Sequence, residues 1–169
     1  YAAVTAEQGP DAIAASLYGQ GLVALKQGND SAATEYFERV NLEFPKAPAS
    51  ARAKFWLGEL YAESDKHTEA IANYQAYLND RPGILEGEVY KRIGDLYAAQ
   101  DQNELALQAY QNAYLAPDGQ SDFRLAQKIA NQYLRAGQPD QALAIYNEHY
   151  QQTQNIYVKS MMDLLAGQM

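Results

Sequence analysis

Four segments of the chain share one register. "YGQGLVAL", "WLGELYAE", "RIGDLYAA" and "KIANQYLR" align on Gly21, Gly58, Gly94 and Ala130, which stand 37, 36 and 36 residues apart. Twelve residues past each anchor is an alanine: Ala33, Ala70, Ala106, Ala142. Four further on is an aromatic ring: Phe37, Tyr74, Tyr110, Tyr146. Three residues past the anchor stands Tyr61, Tyr97 or Tyr133, with Ala24 breaking the rule in the first copy. Pro45, Pro82 and Pro117 close three of the copies. A recurrence over so many fixed offsets restricts the fold severely. Each copy is one supersecondary unit that cannot bury its apolar side alone and must stack on its neighbours.

Within a copy the apolar spacing is helical. Phe55, Trp56, Leu57, Leu60 and Tyr61 fall on i, i+3 and i+4 steps, and Ile71, Tyr74 and Leu78 do the same on a second segment. Small residues at Gly58, Ala70, Gly94 and Ala106 let two helices approach closely, with large aromatics filling the space beside them. "KQGND", "RPG", "PDG" and "RAGQPD" are turn punctuation. Pro139 suits a first helical turn, where its missing N–H is no loss. The spacing predicts helix pairs at 11–26 with 30–43, 48–63 with 67–80, 86–100 with 103–115, and 121–136 with 139–151. No alternating strand pattern of useful length is present, so the chain reads as all-α.

The tail "NIYVKSMMDLLAGQM" predicts one more helix. Its "LLAGQM" parallels "YLRAGQP" of the fourth copy, aligning Gly167 with Gly137. Tyr157, Met161 and Leu165 form one i, i+4 stripe, and Val158 and Met162 a second beside it. The helix is either a cap or the first member of a fifth pair. The apolar face favours the second, an array that continues, and an exposed apolar end invites a homodimer through this C-terminal helix.

These offsets resemble the tetratricopeptide (TPR) repeat, an antiparallel helix pair of about 34 residues. The likeness runs from about residue 14 to 154. It implies a single domain over 1–169 with repeats at about 14–47, 51–84, 87–120 and 123–154, and 155–169 as the first helix of a broken fifth repeat or a cap. The implied fold is a right-handed α-α superhelix, or solenoid, with a concave groove: four helix pairs plus one C-terminal helix. One repeat, "FPKAPASARAKFWLGELYAESDKHTEAIANYQAYL", is similar to bacterial cell-envelope TPR proteins. These include Tol-Pal-associated, outer-membrane assembly and pre-transglycosylase regions. That narrower likeness favours the envelope or periplasm over the cytoplasm.

Composition removes other classes. With Lys+Arg 13 against Asp+Glu 21, the formal net charge is −8. No basic cluster exceeds a pair, so neither nucleic acid nor an anionic membrane surface is an expected partner. The absence of cysteine excludes disulfides, zinc–thiolate sites and thiol nucleophiles. No apolar run approaches the length of a membrane-spanning helix. The two histidines, His67 and His149, lie in different repeats without metal-ligand spacing, and read as a solvated turn residue and a partly buried packing residue. Acidic pairs such as Glu59 with Glu63, and Glu86 with Glu88, have the residue types of a glycosidase acid and base, but at helical spacing read as a solvated acidic face. No cofactor, metal or catalytic site is expected.

The family geometry places the first helix of each pair along the groove. Carried over, it nominates Tyr18, Leu22 and Leu25 in the first copy and Arg52, Phe55, Glu59 and Ala62 in the second. In the third it gives Glu88, Lys91, Asp95 and Ala98, and in the fourth Arg124, Gln127, Asn131 and Leu134. The surface runs from apolar-aromatic to mixed charge to polar, which suits an extended or helical peptide with one hydrophobic end, unless residues 1–10 cover Tyr18 to Leu25. The carboxylate clamp of chaperone-binding TPR domains is absent: Tyr18, Leu22 and Trp56 stand where its Lys and Asn residues belong. The expected function is a non-catalytic protein-interaction scaffold. The alternatives are a helical region of a larger envelope enzyme such as a lytic transglycosylase, whose own catalytic motif is not in this chain, and a self-association module.

Overall fold

The computed structural model describes residues 9–117, 122–154 and 156–166, without the side chains of 152, 153, 161, 165 and 166. The suggested cover by the first residues lies outside this range for 1–8, as does Gly167. Among the described residues all regular structure is helical. The order is α1 (Pro10–Lys26), α2 (Asp30–Glu43), α3 (Pro48–Glu63), α4 (His67–Asp80), α5 (Glu86–Ala99), α6 (Asn103–Leu115), α7 (Phe123–Arg135), α8 (Pro139–Thr153) and α9 (Ile156–Ala166). All eight helices of the predicted pairs are present, with ends shifted by two residues at most, and the predicted tail helix is described over Ile156–Ala166. The chain divides into two compact units, Tyr1–Pro82 and Gly83–Met169.

In the first unit α1 pairs with α2 and α3 with α4, and α3 also packs on α1 and α2. Pro10 and Pro48 occupy the first turns of α1 and α3, where a proline loses no hydrogen bond. The core is Ala14, Leu17, Ala24, Ala33, Phe37, Val40, Ala53, Leu57 and Leu60. In the second unit α5–α6, α6–α7, α7–α8 and α8–α9 pack successively. One core there gathers Ala106, Tyr110, Ala113, Tyr114, Leu125, Ala126 and Ile129. Another gathers Ala130, Ala142, Tyr146 and Val158.

The anchor is small because a ring lies on it. A Cβ added to Gly58 would stand 2.5 Å from Tyr74 Cε1, and one on Gly94 would stand 2.5 Å from Tyr110 Cδ1. Gly21 meets the Phe37 ring in the same way. Four rings (Phe37, Tyr74, Tyr110 and Tyr146) are buried, and each contributes about 1.5–3 kcal/mol through removal of apolar surface from water.

Each pair turns in the same way. Seven residues past the anchor stand Gly28, Asp65, Asp101 and Gly137, with φ of 70°, 57°, 57° and 69°. The amides of Gly28 and Asn29 bond to the carbonyls of Leu25 and Ala24, and those of Asp65 and Lys66 to Ala62 and Tyr61. Asp101 with Gln102, and Gly137 with Gln138, repeat the arrangement. Four Schellman motifs with a left-handed residue therefore end the first helix of every pair. The left-handed region favours glycine and tolerates aspartate.

In α9, Val158 is buried and Met162 packs beside it, whereas Tyr157 is 73% exposed. Of the two predicted stripes, the Val158–Met162 one meets the α8 core. Met161 and Leu165 lie outside the described side chains.

Candidate functional site

Two side-chain relationships recur through the repeats and decide which groups on the first helices are free to meet a partner. One lies inside a repeat. The Tyr74 phenol donates to Glu59 Oε1 at 2.5 Å, and the Tyr110 phenol donates to Asp95 Oδ1 at 2.6 Å. Glu59 and Asp95 are the residues after the anchors, and their partners are the rings on the anchors. In the first copy the same positions hold Leu22 and Phe37, both apolar. In the fourth they hold Asn131 and Tyr146, and the buried Tyr146 hydroxyl finds no hydrogen-bond partner among the described residues. Burial, then the bond to Asp95, holds the Tyr110 phenol well above its ordinary pKa, so it remains a donor.

The second relationship joins consecutive repeats within a unit. The Tyr61 phenol donates to Glu38, and Tyr133 accepts from Gln111 Nε2 at 3.0 Å. Glu38 and Gln111 each follow the core ring of the preceding repeat. Burial, and next the Glu38 bond, push the Tyr61 phenol up to about 12.

On the first unit, Tyr18, Arg52, Phe55 and Trp56 come together. The Arg52 guanidinium carbon lies 4.9 Å from the Tyr18 ring centroid. Trp56 Nε1 donates to the Tyr18 hydroxyl at 3.1 Å, and Tyr18 tilts against Phe37 at 5.6 Å. Phe55 meets Trp56 edge-on at 5.8 Å and Tyr77 at 5.5 Å. Leu22 is half-buried against the α1–α2 core, while Arg52 remains exposed. The result is an aromatic platform whose rings fix one another, with a cation laid on it.

On the second unit the nominated residues are of two kinds. Glu88 is held by Lys91 at 2.5 Å and by Arg92. Desolvation works against this carboxylate, but the bonds from Lys91 and Arg92 set its pKa below the usual value. Asp95 takes the Tyr110 phenol and also Lys128 from α7, whose ammonium lies 5.5 Å from the Tyr110 ring centroid. Arg124 and Asn131 are exposed and Gln127 half-buried, and these three side chains make no hydrogen bond among the described residues. Glu59, Asp95 and Glu88 are thus tied to specific partners, in place of the free acidic face expected of Glu59 and Glu88.

Lys128 was not a predicted site residue. Its signal was present: it stands two residues before Ala130, as Trp56 stands two before Gly58, and each reaches back to the preceding pair. His67 opens α4, with Nε2 3.7 Å from Asp65 Oδ1. His149 is buried beside the Phe123 ring at 5.9 Å; burial lowers its pKa, and Asp122 partly opposes this. Among the described residues no group of three metal-ligating side chains converges, and no helix is long and apolar enough to cross a membrane.

Comparison with known proteins fits this repeat geometry. The tetratricopeptide repeat family model matches residues 15–47 and 52–83. No curated protein matches the sequence. A tetratricopeptide repeat protein from Parabacteroides merdae superposes with a TM-score of 0.74 at 14% identity, over 92% of this chain and 60% of that one. The chain therefore spans less than two thirds of that protein's length. MamA superposes with a TM-score of 0.69 at 18% identity, over 86% of this chain and 81% of its own. A MamA fragment (41-end) from Desulfovibrio magneticus RS-1 gives 0.65 at 17%, over 84% and 78%. Recurrent anchors under buried rings, Schellman turns between paired helices and these likenesses agree: residues 15–47 and 52–83 match tetratricopeptide repeats, and the chain has the all-helical fold of tetratricopeptide repeat proteins.

Proposed function

We propose that the chain is a non-catalytic scaffold that receives a peptide or protein segment on the first-helix faces of its repeats. The fold is one used for protein interaction in general. The observation that carries the reading is the α1–α3 platform, where Tyr18, Phe55 and Trp56 hold one another and Arg52 lies accessible on Tyr18. Aromatic and arginine side chains already fixed in place lose little entropy on binding and dominate interface energies. The test is affinity capture from the native lysate, with Phe55→Ala and Lys91→Glu in parallel. A partner held by the wild-type chain should be lost on Phe55→Ala. Equal retention by both variants rules out this surface.

The exposed face of α9 favours a second reading, self-association. Ile156 and Tyr157 are 72% and 73% exposed, and Leu164, seven residues past Tyr157, is exposed as well. Apolar side chains grouped on one helix favour burial against a second copy. Light scattering over a concentration series, repeated with Tyr157→Glu, decides it: a monomer at every concentration ends this reading.

A further inference from the structure

Arg52 combines two properties. Its guanidinium carbon lies 4.9 Å from the ring centroid of a tyrosine that is itself pinned by the indole N–H of Trp56 and packed against Phe37. It is also unused: no carboxylate lies within ion-pair distance of it among the described residues. Four other cations of the first helices are committed, whereas Arg124, also without an ion pair among the described residues, is not held over a ring there. Lys54 holds Asp80 at 2.6 Å, Lys91 and Arg92 hold Glu88, and Lys128 holds Asp95.

A guanidinium lying on an aromatic ring keeps its in-plane N–H donors directed outward, and that planar fork matches a carboxylate. Phe55 stands three residues on, on the same helical face, so its ring and Arg52 are separated by about 5–6 Å at their Cβ atoms. An extended peptide presents alternate side chains on one side at about 6.6–6.8 Å. We infer that this face of the first unit recognises an extended segment bearing an aspartate or glutamate, on Arg52, and an aromatic or aliphatic residue one or two positions away, on Phe55. This rests on the scaffold reading above and gives the partner its chemistry. The net charge of −8 does not oppose it at contact, because charges beyond about 8 Å are screened at physiological salt.

The test is selection from a random dodecapeptide display library on the full chain, its Arg52→Glu and Arg52→Gln variants, and Phe55→Ala. Binding of a selected peptide is then read from Trp56, the only tryptophan. Circular dichroism confirms that each variant folds. The wild-type chain should enrich peptides with an acidic residue next to, or one removed from, an apolar one. Arg52→Glu should enrich lysine or arginine in that place. The wild-type peptide should bind Arg52→Gln about tenfold more weakly, equivalent to the loss of one charged contact. Enrichment that is lost on Phe55→Ala but lacks the acidic residue, or is unchanged by Arg52→Glu, overturns this inference and leaves the scaffold reading standing. Failure of every chain to enrich any peptide overturns both for this face.

Discussion

Tyr110 rests on Gly94 and donates its phenol proton to Asp95, the next residue along the helix. One repeat on, Tyr146 occupies the same position and Asn131 replaces the aspartate, leaving the buried hydroxyl without a partner among the described residues. The repeat therefore contains a natural comparison of a satisfied and an unsatisfied phenol. Asp95→Ala should lower stability by about 1.5–3 kcal/mol, because it strands a buried donor and frees Lys128. Asn131→Ala should cost under about 0.5 kcal/mol, and Asn131→Asp should stabilise by about 1 kcal/mol. Urea denaturation measures all three. Equal losses from Asp95→Ala and Asn131→Ala would show that the phenol bond adds nothing.

The close contact under the ring sets a second expectation. Gly94→Ala gains about 1 kcal/mol of helix propensity but drives a methyl group into Tyr110, where overpacking costs about 1–3 kcal/mol. The ring is buried and tied to Asp95, so it cannot retreat without losing that bond. A net loss of about 1 kcal/mol is expected. Tyr110→Leu in the same chain should recover part of it, as a non-additive double-mutant cycle. The fourth repeat supports the direction: it alone of the four has a Cβ at the anchor, Ala130, and its buried phenol has no partner among the described residues.

Much of this was legible before any coordinates. Helix ends followed from apolar periodicity with proline and glycine punctuation, and the anchors and rings were readable as a pair of small and large residues. What periodicity does not give is the partner of a polar group. Glu59 reads as a member of a solvated acidic face and Asp95 as a groove residue, because their acceptor role depends on a ring fifteen residues away on another helix. A trace of it was nonetheless written in the repeat: an acid follows the anchor where the ring is Tyr74 or Tyr110, and leucine follows it where the ring is Phe37. In α9 two adjacent stripes were equally apolar. Only packing on α8 distinguishes Val158, which is buried, from Tyr157, which is not.

His149 makes stability depend on pH. Its folded-state pKa is lowered, chiefly by burial beside Phe123, and Asp122 opposes this. Below the unfolded value of about 6.5 the unfolded chain binds a proton that the folded chain resists. Stability is therefore full above about pH 6.5 and declines as pH falls, by at most about 1.4 kcal/mol per pH unit for one proton. Denaturation midpoints between about pH 7 and about pH 5 should fall in the native chain and flatten in His149→Phe. An unchanged slope in that variant assigns the dependence to another group.

The turns offer the last comparison. Asp101 and Gly137 occupy one position in successive repeats, both left-handed, at φ 57° and 69°. An L-residue there costs roughly 1–2 kcal/mol, less for aspartate, and glycine avoids that strain while losing more chain entropy on folding. Asp101→Gly should therefore stabilise by up to about 1 kcal/mol, and Gly137→Ala should destabilise by about 1 kcal/mol. Neither change touches a buried side chain, since a Cβ on Gly137 meets nothing within 4 Å. Backbone conformation is then the sole cause under test, and the denaturant slope should stay constant in both variants. Should Gly137→Ala leave the midpoint unmoved, the left-handed residue is not what closes the helix pair, and the Schellman hydrogen bonds to Tyr133 and Leu134 must hold the turn without it.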